Sequence, residues 1–366
     1  MGIFKHFALT CSLLLVAVPI MASQTYSSDK ADFRLETVAQ GLEHPWSLAF
    51  LPDGSMLVTE REGRLRMIRN GALLNDPISG VPELVVSGQG GLLDVLLHPD
   101  FQQNQVLFLS YAHRNREGMT TRVARARLEN DRLTDVEVIF EALPRSNTSR
   151  HFAGRMEFDQ GGNLYIAVGD RGEMDRAQDN ADDAGGVHRI TTDGAPAPGN
   201  PFLDTSGVND TFYTTGNRNI QGMTIHPETG EIWSHEHGPR GGDEINIIRA
   251  GTDYGWPTIT YGIDYSGLPI TDKTRKEGMA QPLHYSGMAF YTGDLFPEWQ
   301  GDLFVGALKM RKLVRLRIQD GEVTEEEDLL TDLGERIRDV RMGPDGALWL
   351  LTDSPRGKVY RMVPAQ

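Results

Sequence analysis

The hydrophobic pattern of the chain is built on a period of two. In WSLAFLPDGSMLVTEREGRLRMI (46–68), apolar and polar residues alternate through three short runs parted by Pro, Asp and Gly. That pattern predicts half-buried antiparallel strands joined by tight turns. The same form returns in LLDVLLHPDFQQNQVLFLSYA (92–112), AGRMEFDQGGNLYIAVGD (153–170) and GMTIHPETGEIWSHEHGP (222–239). GMAFYTGDLFPEWQGDLFVGAL (287–308) and RDVRMGPDGALWLLTD (338–353) complete six copies, and GKVYRMV adds a last strand. No amphipathic helix of ordinary length interrupts them.

Six antiparallel units at intervals of roughly 50–70 residues predict an all-β fold, a six-bladed β-propeller, whose ring closure protects the sheet edges. A pair of sandwiches or a β-helix is the alternative, and sandwiches do not account for six copies. The longest segments between copies are 113–149, 171–212 and 240–286. Long loops in a compact domain are often functional, so a pocket is expected over one end of the central channel.

Composition adds three points. Gly numbers 40, above the usual share of about 7%, as a turn-rich chain requires. The net charge of −15 is spread along the chain, which disfavours a nucleic-acid binder and fits a solvated surface. At the N-terminus, Lys5 and the apolar run from Phe7 to Ile20 resemble a secretory signal, too short to span a bilayer. IMASQ offers small residues for cleavage near Ala22 or Ser23. Residues 1–23 therefore read as a signal peptide and 24–366 as one propeller domain, without a membrane span in the mature form. The lone cysteine, Cys11, lies inside the signal. A disulfide-free mature chain exported to a bacterial periplasm is expected.

Candidate chemistry sits at strand ends. His151 precedes a strand and Asp170 follows its hairpin partner, so antiparallel pairing brings them to one rim. A carboxylate fixes an imidazole's tautomer and raises its basicity, as a general base needs. A surface histidine beside a turn aspartate is the plainer reading. Arg218 and Asn219 in GNRNIQG, Lys309 in GALKMRK, and Arg336 and Arg338 in GERIRDV supply cations at strand ends. If they converge, they suit a ligand with several carboxylates or phosphates. Otherwise they are scattered surface charge. Gln89 lies in a Gly-rich turn that lets a ligand approach the backbone.

In HEHGPRGGDEINIIRAGTDYGWP (235–257), His235 and His237 have metal-ligand spacing, but no third donor is evident nearby. The turn at Gly238 and Pro239 exposes carbonyls, and Asp243 and Glu244 add carboxylates, a donor set suited to Ca²⁺. DNADDAGG (179–186) reads as a solvated acidic loop.

Together these residues carry a resemblance. From about Leu42 to Val363 the chain resembles the soluble sugar dehydrogenases that use pyrroloquinoline quinone, in particular the periplasmic aldose sugar dehydrogenases. The resemblance rests on HPWSLAFLPDG, GQGGLLDVLLHPDF, HFAGR, GNRNIQG, EHGPRGGDEIN, YGWP, SGMAFY, GALK and RIRDVRMGPDGALWLLTD, in that order. It implies a six-bladed propeller that oxidises an aldose at its anomeric carbon to a lactone. His151 would be the base, Asp170 its carboxylate and Arg218 a polarising cation. Gln89, Arg218, Asn219, Tyr265, Lys309, Arg336 and Arg338 would contact the quinone. The carbonyls of Gly238 and Pro239 would hold a cofactor-bridging Ca²⁺, and Glu244 and Tyr254 a structural one. Electrons would pass to an external acceptor, a quinone or a cytochrome. A monomer and a homodimer both remain open.

The chain departs from the resemblance at Arg150, Ala153, Gly186 and Ile220, and is shorter within 281–291. Two other functions stay open at this stage. One is a non-catalytic propeller that binds a sugar or a partner protein. The other is a metal-dependent lactonase, which would need carboxylate and Asn ligands around a channel metal.

Overall fold

The computed structural model describes residues 24–239, 242–260 and 285–365. The signal segment expected at 1–23 lies outside them, as does Tyr265. Six antiparallel sheets form six blades around a ring, as the repeats predict. The inner strands are Pro45–Phe50, Leu92–Leu97, Ala153–Phe158, Ile220–Ile225, Tyr285–Phe290 and Ile337–Met342. Each packs on the next, and Ile337–Met342 against Pro45–Phe50 closes the circle. The last blade is a shared one. Its strands Ile337–Met342, Leu348–Thr352 and Gly357–Pro364 come from the C-terminal end, and Asp32–Leu42 adds from the other end of the chain.

Two features differ from the sequence reading. Most blades gain a fourth, outer strand, such as Arg132–Glu141 or Glu322–Leu329. The expected alternation also fails on the inside. The strands Met56–Glu60, Leu164–Val168 and Leu348–Thr352 are buried at every residue. Blades stack face to face, so a strand inside a blade has no wet side. Exposure survives on outer strands such as Glu322–Leu329. The apolar core is accordingly divided between blades. One cluster joins Leu57, Leu65 and Met67 of the first blade to Leu107, Leu109 and Ala124 of the second. Among the described residues, helix amounts to Phe101–Asn104 and two short 3₁₀ turns.

Charge fills the middle of the channel. Asp94 accepts from Ser47 Oγ (2.5 Å), Arg341 Nη2 (3.1 Å), Arg155 Nη1 (3.3 Å) and the Met156 amide (2.8 Å). Asp339 takes Arg341 Nε (2.9 Å) and pairs with Arg155 (3.2 Å). Arg155 also donates to the Gln221 carbonyl (3.0 Å) and lies over Trp46. Ser47, Asp94, Arg155 and Asp339 are fully buried and bridge inner strands of separate blades. Gly287 makes room for this plug, since a Cβ there would lie 2.7 Å from Asp339 Cα.

Candidate active site

The first strand of each blade begins at one end of the ring, and the second strand ends there. Loops before inner strands and after second strands therefore crowd a single mouth. In the third blade Ala153 pairs with Val168. His151, two residues before Ala153, meets Asp170, two residues after Val168. His151 Nδ1 stands 2.5 Å from Asp170 Oδ1. Gly169 permits this approach, because a Cβ there would lie 2.7 Å from the His151 carbonyl carbon and closer still to its oxygen.

Asp170 is fully buried and has three donors. They are His151, the Gly172 amide (2.6 Å) and the Trp256 indole N–H (2.8 Å). Burial raises its carboxyl, but His151, the Gly172 amide and Arg218 outweigh that and hold it below the usual range. With Nδ1–H given to Asp170, the lone pair of His151 is at Nε2. The histidine backbone has φ 47° and donates its N–H to Gln89 Oε1 (2.7 Å). Arg171 braces the same loop. Its guanidinium lies over Phe152 and donates to the Thr148 carbonyl (2.9 Å), and burial pushes it down to about 9.

Beside this dyad a cavity of about 200 Å³ opens at the mouth. Gln89, Asn219, Arg336 and Arg338, all singled out from sequence, line it. So do Arg61, Trp46 and Asp353, which sequence reasoning passed over. Three arginines face one aspartate there, in a chain whose net charge is −15. Buried Nε of Arg61 has no partner among the described residues. Arg336 Nε and Nη2 and Arg338 Nη2 donate to Asp353. Asn219 Oδ1 accepts the Ala153 amide (3.2 Å).

Arg218 stands next to the cavity, with Nη1 on the His237 carbonyl (2.9 Å) and its guanidinium over Trp256. Lys309 is exposed beside the lining residue Leu308. Gly238 and Pro239 follow His237, another lining residue, and the Pro239 carbonyl accepts the Gly242 amide (2.8 Å). Glu244 and Tyr254 lie away from the lining. The Tyr254 hydroxyl bonds the Ile247 carbonyl and accepts the Arg249 amide.

Two sequence readings are revised. The pair His235 and His237 lacked a third donor, yet the fold brings Asp243 to them, with ligand atoms within 4.8 Å of one another. Both Asp243 oxygens accept backbone amides, from Gly238 and Tyr285, and burial raises its carboxyl to about 7. The 179–186 loop is not simply solvated. Asp182 and Asp183 are buried, the first on Arg176, the second on the Leu143 amide (2.7 Å) and Asn209 (2.6 Å). Gly186 departs from the resemblance for a steric reason, since a Cβ would lie 2.9 Å from both Phe212 Cδ1 and the Thr214 carbonyl. Ala153 has φ 52°, where glycine would be at ease, and Arg150 is exposed.

Two of the missed residues had a signal. Asp353 ends LWLLTD as Asp170 ends LYIAVGD, a carboxylate just past a second strand. Trp256 belongs to the YGWP motif, but nothing local links it to residue 170.

The chain is similar to known proteins over nearly its whole length. The family described as Glucose / Sorbosone dehydrogenase matches residues 42–361. The aldose sugar dehydrogenase YliI of Escherichia coli (strain K12) is 43% identical, covering 96% of this chain and 98% of that one. The apo-form crystal structure of the soluble aldose sugar dehydrogenase from Escherichia coli superposes with a TM-score of 0.87 at 42% identity, covering 91% of this chain and all of that one. The PQQ-bound aldose sugar dehydrogenase from Streptomyces coelicolor does so with 0.74 at 26%, covering 91% and 99%.

Proposed function

The chain belongs to the glucose/sorbosone dehydrogenase family, and from that premise we propose that it oxidises aldose sugars at the anomeric carbon to lactones, using pyrroloquinoline quinone and Ca²⁺. One observation carries the reading. A buried-carboxylate histidine, His151, is tied through Gln89 to a cavity with three arginines.

The residues present fit a planar polycarboxylate. Arg336 and Arg338 are fixed beside one another, Arg61 Nε is buried with no partner among the described residues, and Gln89 and Asn219 add amides. With Arg218, Lys309 and Tyr265 they would hold the quinone. The carbonyls of Gly238 and Pro239 would hold its Ca²⁺, and Glu244 and Tyr254 a second, structural calcium. When bound, the quinone supplies the hydride acceptor and Ca²⁺ a Lewis acid.

The chain supplies proton handling and orientation. Asp170 keeps the Nδ1–H tautomer and stabilises the imidazolium that forms. His151 Nε2 takes the anomeric hydroxyl proton as the hydride leaves the anomeric carbon, so the lactone carbonyl forms in one event. Trp256 and the Gly172 amide keep Asp170 ionised in its dry site. An external acceptor, a quinone or a cytochrome, would take up the two electrons removed from the sugar. Among the described residues, no helix is long and apolar enough to cross a membrane. The proposed periplasmic location rests on the signal segment read at residues 1–23.

Reconstitution of the mature protein with quinone and Ca²⁺, followed by aldose-dependent dye reduction, tests the reading. His151→Ala should lose turnover by about 10²–10⁴-fold and still bind quinone. Absence of both turnover and quinone binding in the parent would refute the assignment.

A further inference from the structure

Among the described residues, Asp353 is the one carboxylate lining the cavity, and the proposed chemistry makes no use of it. Its Oδ2 accepts from Arg336 Nε (3.2 Å) and Nη2 (2.9 Å) and from Arg338 Nη2 (3.2 Å). Its Oδ1 lies 2.7 Å from Nδ1 of His44. His44 has φ 45° and its amide is bonded to the Ser354 carbonyl (2.8 Å). The mouth thus carries two histidines in the same left-handed conformation, each just before an inner strand and each gripping an aspartate through Nδ1.

The guanidiniums are also tied on their other sides. Arg336 Nη1 reaches the Leu308 carbonyl (3.3 Å), and Arg338 Nη1 reaches Gln221 Oε1 (3.2 Å). Burial raises the Asp353 carboxyl, but Arg338, His44 and Arg336 outweigh it, so the group stays ionised. A negative charge in an anion-binding cavity repels the ligand. Its compensating effect is conformational. Without it two neighbouring guanidiniums repel, spread over many rotamers, and must be ordered again when an anion binds.

We propose that Asp353, oriented by His44, is a positioning residue that pre-assembles Arg336 and Arg338 into a fixed receptor for the cofactor's carboxylates. The proposal rests on the reading of those arginines as quinone contacts. It makes a prediction opposite in sign to simple charge counting: removing this negative charge weakens anion binding.

The experiment uses the mature chain with Ca²⁺ and compares the parent, Asp353→Asn, Asp353→Ala and His44→Phe. The first readout needs no ligand. The Arg336 and Arg338 Nε–Hε resonances, slowly exchanging in the parent, should broaden or vanish in Asp353→Asn. The second readout is calorimetric titration with pyrroloquinoline quinone. Affinity should fall about tenfold in Asp353→Asn and about threefold in His44→Phe, the cost of re-ordering two arginine side chains. Added formate should restore affinity to Asp353→Ala by replacing the lost carboxylate, which it would not do for a general structural defect. Unchanged arginine signals, or quinone binding as tight as the parent's in Asp353→Asn, would overturn the proposal. If Asp353→Asn does not fold, unchanged affinity in His44→Phe does so. Failure of the parent itself to bind quinone would remove the cofactor reading, while the arginine signals would still decide whether Asp353 positions them.

Discussion

Gly169→Ala isolates the placement of the proposed base, His151, from its chemistry. Gly169 is not in the left-handed region, so alanine suits its backbone. The conflict is purely one of space. The new methyl would stand 2.7 Å from the His151 carbonyl carbon and 3.1 Å from its Cβ, and closer still to the carbonyl oxygen. Relief requires about an ångström of movement, and His151 is the softer side because it lies on a loop. Overpacking of this size costs roughly 1–3 kcal/mol of stability. The kinetic cost is larger, since an ångström of misplacement at a reacting group lowers turnover by about 10²-fold. The control is Gly54→Ala, at φ 82° with nothing within 4 Å. It meets only left-handed backbone strain of about 1–2 kcal/mol and should turn over like the parent. The assay is kcat on the reconstituted enzymes, with quinone affinity and thermal midpoint measured in parallel. If Gly169→Ala kept kcat within about twofold of the parent, the position of His151 would not set the rate.

Trp256→Phe keeps most of the ring and removes the N–H that reaches Asp170 (2.8 Å). Loss of one hydrogen bond to a buried charge should lower kcat about tenfold and leave quinone affinity nearly unchanged, and an equal loss in both would assign Trp256 to the cavity instead. Glu157, on the inner strand Ala153–Phe158, is raised to about 7 by burial, against the pull of Arg341. The folded protein then holds a proton that the unfolded chain releases from its ordinary value of 4.5, so this group's contribution falls as pH rises between the two. Glu157→Gln imitates the protonated form and should add roughly 1–2 kcal/mol at pH 8 and nothing at pH 4. Urea midpoints at both pH values check it, and a gain at pH 4 alone would reverse the sign. Stripping the holoenzyme with a chelator should abolish turnover until Ca²⁺ is restored, and full activity after exhaustive chelation would exclude the metal role.

The propeller was legible because its signals are local: period-two runs and Pro, Asp and Gly turns repeat whatever the tertiary context. His151 and Asp170 were legible for a related reason, since one hairpin's register joins them across 19 residues. What escaped depends on contacts between blades or on the shape of a loop. His44 and Asp353 are 309 positions apart and meet only because the first and last blades adjoin. Trp256 reaches Asp170 across 86 positions, from the neighbouring blade. Asp243 joins the two histidines through a turn whose shape no pattern of polarity encodes. Strand amphipathicity misled inside the blades, where Met56–Glu60 is buried even at Thr59 and Glu60.

The knot of arginines and aspartates across the middle of the ring makes the molecule a cup and not a pipe. On the proposed chemistry, sugar would enter, lactone would leave and the electron acceptor would approach through the same opening. Reductant and oxidant therefore take turns, and each in excess should obstruct the other. Steady-state rates should give parallel double-reciprocal lines, with inhibition at high concentration of either partner.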